Sequence, residues 1–203
     1  MKRALAVVLC WISALLLVDT RTTSITRIAE AGRVLEAIGA PGTAINEGIL
    51  QNARCIGTFS WPVQGGFRLT SDYGKGIVIC RNRQGWSAPS LINVAGGDPA
   101  LQILNGDTDV LIVTVNTNGE RALMQDGVVI RPRRGYADIV FYARSRGTSS
   151  RIDLAGITIT PDTAANRTLY GPWVNHKDIL SGKVPSPAIA EGLYDDLAGF
   201  LSR

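Results

Sequence analysis

His176 is the single histidine of the 203-residue chain. A Ser–His–Asp triad would have to use it, and a metal site of several histidines is excluded. It stands in Val174-Asn175-His176-Lys177-Asp178, which reads as the start of a short helix, and the expectation there is a satisfied surface histidine. Ser87 lies in Gly85-Trp86-Ser87-Ala88-Pro89, which is not the G-x-S-x-G turn that exposes a nucleophile. Asp107 and Asp109 flank a strand start, where turn chemistry accounts for them. Gly65-Gly66 and Gly96-Gly97 lack the Lys-Ser/Thr of a phosphate loop and read as tight turns or bulges. No catalytic residue, metal site or cofactor is expected, so the reading is a protein that binds rather than an enzyme.

The cations are what remain. Lys and Arg exceed Asp and Glu to give a net charge of +4 and a pI near 9.2. This mild excess suits an anionic surface, and no nucleic-acid partner is expected from it. The basic residues are dispersed: Arg27, Arg33, Arg54, Lys75, Arg81 and Arg83, then Arg131, Arg133 and Arg134. Gathering them is a task for the fold. In a regular strand Lys75, Ile77, Ile79 and Arg81 point the same way, which puts the two cations at opposite ends of an apolar face. That favours a site at a sheet end over a flat basic patch.

The elements that would do the gathering are legible in outline. The segment Thr22–Gly39 has Ile25, Ile28, Leu35 and Ile38 at helical spacing, and Gly39 with Pro41 stops it. A shorter helix is predicted over Ala44–Arg54. From Cys55 the texture changes to strands, at 55–59, 66–70 and 76–81, then 91–95, 101–104 and 110–115. Turns are predicted at Asn105-Gly106-Asp107 and Asn118-Gly119, and Glu120–Asp126 reads as one helical turn. Further strands are predicted over 127–130, 137–144 and 150–159. Pro187 opens a closing helix with Ile189, Leu193, Leu197, Phe200 and Leu201 on one face. The run Gly74–Pro89 is the centre of this plan: a β-branched strand, a polar turn over Arg81–Gly85, then Trp86–Ser90 leaving it extended because Pro89 restricts Ala88.

Residues 1–21 are set apart as a signal peptide or membrane anchor. Lys2 and Arg3 precede an unbroken low-polarity run over Ala4–Val18, whose length suits a secretory segment better than a full span. Export to the periplasm or the cell exterior is the expectation, with an uncleaved anchor as the alternative. Setting that segment aside leaves Cys55 and Cys80, which form either one disulfide or two free buried thiols. Asn166-Arg167-Thr168 satisfies the glycosylation sequon.

One ordered series of motifs is specific. Gly74-x-Gly76-Ile77-Val78, Arg81 and Trp86-Ser87-Ala88-Pro89-Ser90 resemble the SYLF lipid-binding domain family, whose members include yeast actin-patch proteins. Flanking matches extend the resemblance: Ile49-Leu50-x-x-Ala53-Arg54-x-Ile56, Gln64-Gly65-Gly66-Phe67, Gly96-Gly97 with Gln102-Ile103, and Tyr142-x-x-Ser145-Arg146-Gly147. Asn166-Arg167-x-x-Tyr170-Gly171 and Asp178-Ile179-Leu180-x-Gly182 complete it, so that it covers 22–203 as one domain. The chain departs from the family pattern by a shortened stretch between Val115 and Tyr142. The resemblance implies an α+β fold: a curved, largely antiparallel sheet or partial barrel with amphipathic helices at the N- and C-terminal ends. It also implies non-catalytic binding of anionic phospholipid, phosphoinositide-like in eukaryotic members. The candidate headgroup cations are Arg27, Arg33, Arg54, Lys75 and Arg81. The helix Thr22–Gly39, with Arg21, Arg27 and Arg33, is the candidate interfacial element. A structural or protein-interaction module of the cell envelope is the alternative. Actin, which needs cytosolic exposure, is set aside by the signal-like start.

Overall fold

A computed structural model describes residues 23–40, 45–61, 74–96, 108–131, 138–145 and 148–202. The segment 1–21, the strands predicted at 66–70 and 101–104, the turn at 105–107, and Arg133 and Arg134 lie outside the described residues.

The first helix, α1, covers residues 23–38. Ile28, Ala31, Val34, Leu35 and Ile38 recur on one side and are all buried, and Gly39 N closes the last turn on Leu35 O at 2.9 Å. Ile25, predicted inward, is instead exposed. The second helix is shorter than predicted: α2 is Glu47–Gln51, capped by the Asn46 side chain on Gly48 N.

The strands are β1 Cys55–Trp61, β2 Gly74–Asn82, β3 Gly85–Trp86, β4 Ser90–Gly96, β5 Thr108–Thr114, β6 Val128–Val129, β7 Ile139–Ser145, β8 Thr148–Ile152 and β9 Ile157–Pro161. All pairings are antiparallel, in the order β6-β9-β4-β2-β1-β5-β7-β8, with β3 folded back on β2. The sheet curls into a half-barrel, with helices at the N- and C-terminal ends of the chain, as expected for the fold class.

Both sheet faces are buried, which is why the central strands read as continuous apolar runs rather than alternating ones. One face carries Ile56, Ile77, Ile79, Leu91, Leu111, Val113 and Tyr142 against α1 and the closing helix α6, Glu191–Leu201. The other carries Phe59, Val78, Ile92, Val94, Val110, Ile112, Phe141, Ile157 and Ile159. Cys55 and Cys80 face each other across β1 and β2 on that second side and form a disulfide. At Gly76 a Cβ would overlap the Thr58 carbonyl oxygen of β1, so the strands close up there only because the residue is glycine.

Three local predictions are corrected. Asn118-Gly119 is not a turn. It lies inside α3, Thr117–Leu123, because the Asn116 side chain accepts from Asn118 N and Gly119 N and starts the helix early. The single strand predicted over 150–159 is two, β8 and β9. A turn divides them in which Ala155 N bonds Asp153 Oδ1 and Gly156 adopts φ +86°. The closing helix begins later than Pro187: a 3₁₀ turn, Ala188–Ala190, intervenes, and Ile189 is exposed rather than inward. The helix α4, Thr163–Tyr170, had no sequence prediction. It is started by Asp162, whose side chain accepts from Ala165 N. The short helix predicted near His176 is α5, His176–Leu180.

Candidate functional site

The strip Trp86-Ser87-Ala88-Pro89-Ser90 is tied at Ser87, Pro89 and Ser90 to the carboxyl-terminal helices. Ser87 N bonds Cys80 O at 2.8 Å, and Ser87 Oγ accepts from Cys80 N at 3.0 Å and donates to Ala88 O. Ser87 O accepts from the Tyr194 hydroxyl of α6 at 2.9 Å, and Pro89 O accepts from the Tyr170 hydroxyl of α4 at 2.6 Å. Burial pushes the ionisation of both tyrosines above its ordinary range, and Tyr170 is raised further by its neighbour Tyr194. Both hydroxyls therefore stay protonated donors.

Beyond β9, the edge of β4 turned away from β2 is met by Asp162 N, which donates to Leu91 O at 2.9 Å, and by side chains. Asn166 Oδ1 accepts from Leu91 N at 2.8 Å, and its Nδ2 donates to Leu91 O at 2.9 Å and to Ser90 Oγ at 3.2 Å. Ser90 Oγ lies 2.7 Å from His176 Nδ1, and His176 Nε2 lies 2.6 Å from Leu123 O. A carbonyl only accepts, so Nε2 carries the proton and Nδ1 accepts from the Ser90 hydroxyl. Every side-chain donor in this network is used. Burial lowers the His176 pKa, against the opposing pull of the Leu123 carbonyl and Asp126. His176 is thus a buried pin joining β4, α3 and α5, a correction to the surface histidine expected from its polar neighbours. Its contact with Ser90 has the form of a nucleophile–base pair, but Ser90 is 0 % and His176 5 % exposed, so no substrate reaches either atom. Asn166 is 2 % exposed with both amide atoms engaged, so the sequon presents no acceptor in the folded domain. Among the described residues no cluster of three potential metal ligands occurs.

These bonds form a latch between the 86–90 strip and the carboxyl-terminal helices at one end of the sheet, and an open cavity of about 420 Å³ lies there. It is lined by Arg81, Asn82, Arg83 and Gln84 of the β2–β3 turn, Glu120 and Met124 of the α3 region, and Leu180, Ser181 and Gly182 after α5. Gly182 has φ +81°, and a side chain there would collide with the Asn82 amide, so glycine is required for α5 to close against the hairpin. Arg81 is stacked over the Trp86 ring, its guanidinium carbon 4.9 Å from the centroid. Glu120 is the one carboxylate of the lining, and Arg54 Nε holds it in an ion pair. Arg81 and Arg83 are both exposed. The charge left for a ligand at this mouth is positive.

The five cations singled out in the sequence are therefore placed in different settings. Arg54 and Arg81 come together, joined also through their backbones by Arg81 N to Arg54 O at 2.6 Å. Lys75 is exposed at the far end of β2, about 20 Å away at ~3.3 Å per residue, on the same face as Arg81 but opposite Ser60 and Asn93. Arg27 is 8 % exposed and bonded to Asp162 at 2.8 Å, fastening α1 to the start of α4. Arg33 is exposed on α1 and paired with Glu30 at 3.5 Å. The apolar side of α1 is spent on the core. Arg83 and Glu120 were not singled out as site residues. Two arginines around a tight turn were the available signal for the first, and nothing local signals the second.

The fold and this cationic sheet end define an α+β half-barrel domain closed by a carboxyl-terminal helical latch. The family model described as "Las17-binding protein actin regulator" (Ysc84) matches residues 99–200, half of the chain, and the chain belongs to that family, the SYLF domain family that its motifs resemble. The SH3 domain-containing YSC84-like protein 1 of Rattus norvegicus is 30% identical over 183 residues, covering 80% of this chain and 54% of the relative. The human protein of the same name is 30% identical over 161 residues, 70% of this chain and 47% of the relative. Protein YSC84 of Saccharomyces cerevisiae is 25% identical over 153 residues, 64% of this chain and 33% of the relative. The chain spans about half the length of the YSC84-like relatives.

Proposed function

We propose that the domain binds anionic phospholipid surfaces without chemistry, and that a phosphate-bearing headgroup is received at the Arg81–Arg83 turn. The observation that carries this reading is the cavity at that turn. Arg81 and Arg83 are among its lining residues, and the one carboxylate among them, Glu120, is already held by Arg54. Guanidinium groups suit phosphate because their forked donors match its oxygens. Stacking on Trp86 fixes one of them, so less side-chain entropy is lost on binding. Each cation near an anionic surface contributes about 1 kcal/mol, so two or three give binding that is real but salt-sensitive.

The setting we infer is the cell envelope. The Cys55–Cys80 bridge is a feature of oxidising compartments, and the basic start followed by an apolar run over residues 4–18 is a feature of exported chains. Among the described residues no helix is long and apolar enough to cross a membrane.

The test is co-sedimentation of the full chain with phosphatidylserine-containing and phosphatidylcholine vesicles at low and moderate salt. Comparing two lipid charges removes any charge-independent insertion by the amino-terminal run. Anionic preference that fades with salt and is weakened in the Arg81→Glu/Arg83→Glu double variant is the expected result. Equal partitioning to both lipids would sink the reading. A protein-interaction role is the second reading, favoured by the family description as a Las17-binding actin regulator. Recovery of one stoichiometric protein by the full chain, with vesicle binding at background, would select it.

A further inference from the structure

Trp173 is 94 % exposed. Burying an indole in a protein interior contributes about 2 kcal/mol or more, and this fold leaves that contribution unused. The residue does not sit on a loose segment. It lies at 171–174, between α4 and the Asn175 cap of α5, and both helices are pinned. Tyr170 bonds Pro89 O at 2.6 Å just before the connection, and His176 bonds Ser90 and Leu123 just after it. Within it Gly171 N closes α4 on Arg167 O at 2.9 Å, Gly171 takes φ +109°, and Val174 N reaches Gly171 O at 3.3 Å. Asn175 then caps α5 through Asp178 N at 2.8 Å. The indole is held out into solvent by a rigid frame.

Its surroundings identify the occupant. Exposed Arg167 lies one turn back on α4 and exposed Lys177 follows on α5. The nearest acid of α5, Asp178, is bonded to Lys183 at 2.8 Å, and that bond, with a further one from Asn175, holds its carboxyl below the usual range. The flanking Pro172 and Val174 add only a small apolar margin, and the other large exposed apolar residues among those described, Ile25, Val129 and Ile189, lie on separate elements. A protein interface needs a contiguous patch of several hundred Å² around its aromatic anchor. A bilayer interface does not: one amphipathic ring partitions by itself at the headgroup level, with cations beside it. The same short helix that follows Trp173 ends at Ser181 and Gly182 on the wall of the arginine-lined cavity, so the indole and the cavity belong to one end of the molecule.

We propose that Trp173 is an interfacial anchor that seats the α4–α5 edge of the domain in the headgroup layer of a lipid bilayer, with Arg167 and Lys177 beside it. The proposal rests on the lipid-binding reading above and adds the element that enters the membrane. It also gives the domain an orientation: the 171–174 connection faces the lipid, and α1, whose apolar side is in the core, does not.

The experiment uses the full chain, its Trp173→Phe and Trp173→Ala variants, and vesicles of phosphatidylcholine with or without phosphatidylserine. The difference in emission between wild type and Trp173→Phe isolates this indole from the other tryptophans. On bound protein that difference is expected to shift to the blue and to be quenched by lipids brominated close to the headgroup. Trp173→Ala is expected to weaken vesicle affinity about tenfold with an unchanged melting temperature, and Trp173→Phe less. If the Trp173 emission stays that of a water-exposed indole while wild type is bound, the anchor is overturned, whatever the affinities, and anionic preference in the same titration leaves the headgroup reading standing. If the indole enters both vesicle types and they bind equally, the anchor holds and the anionic reading falls. No vesicle binding at all overturns both.

Discussion

The two ends of β2 carry the same kind of residue on the same face and have opposite structural fates. Lys75, near the beginning of the strand, stands in a cross-strand row with Ser60 and Asp109 on one side and Asn93 and Thr160 on the other. The exposed Lys75 ammonium is flanked by small and polar side chains, with the Asp109 carboxylate two positions along the row. Arg81, at the other end, is stacked on Trp86, backed by Arg54, and sits on a hairpin that α4, α5 and α6 fasten from behind. Equal formal charge therefore gives a solvated residue in one place and a cation held by stacking on a fastened hairpin in the other. What separates them is the latch beneath one end, not the residue types in the strand.

Removing the latch should have the largest effect. Asn166→Ala leaves Leu91 N buried without a partner, takes one of two donors from Leu91 O, which keeps Asp162 N, and deprives Ser90 of a donor. A loss of about 3 kcal/mol is expected, since the one stranded buried group costs ~1–3 kcal/mol and each further lost hydrogen bond about 1 kcal/mol. Urea unfolding measures it, with Lys75→Ala as the counterpart at the other end, expected within about 0.5 kcal/mol of wild type. Equal stability of the two variants would erase the contrast between the ends.

Trp86 comes next. It is half-buried, packs against the α1/α6 side of the core and supports Arg81. Trp86→Ala is expected to cost about 2 kcal/mol, less than a fully buried aromatic truncation, and to weaken anionic-vesicle binding as well. A variant with native melting temperature and lost binding would make the ring a ligand contact rather than a support for Arg81.

Charge removal sharpens the comparison directly. Arg81→Ala with Arg83→Ala should weaken anionic-vesicle affinity by about tenfold or more at low salt, as ~1 kcal/mol per cation implies, and the effect should shrink as salt rises. Lys75→Ala should change it less than about fivefold, a single cation contributing at most ~1 kcal/mol near the surface. Lys75 having the larger effect would move the site to the opposite end of the sheet.

The smallest effect expected is on pH dependence. His176 has a folded pKa below its ordinary value because burial disfavours the imidazolium, so the unfolded chain takes up this proton first as pH falls. The contribution of His176 is fully present above about pH 6.5 and is lost progressively as pH drops from there through the depressed folded value. The urea midpoint of wild type should fall between pH 7.5 and 5.5 by more than that of His176→Gln. A matching fall in both proteins would remove His176 from the latch's pH response.

The sequence by itself determined the local quantities. Helical spacing over 23–38, the β-branched run at 77–79 and the Pro-punctuated strip at 86–90 fixed α1, β2 and the hairpin, because each depends on residues a few positions apart. The ordered motifs fixed the family. The meaning of those motifs was decided only by tertiary structure. Trp86–Ser90 and Asn166–Gly171, more than seventy residues apart, turn out to be two halves of one latch, bonded through Leu91, Ser90 and Pro89. Asn116 and Asp162 look like turn residues locally and become helix caps once their chains are in place. Arg27 looks like a surface cation on a helix and is buried because Asp162, 135 residues later, arrives opposite it. Trp173 carries the sharpest case: its type says core, and only the pinned connection between α4 and α5 shows that no core is within its reach. Burial and pairing are properties of what the chain brings near a residue, and for these residues the decisive neighbours are distant in sequence.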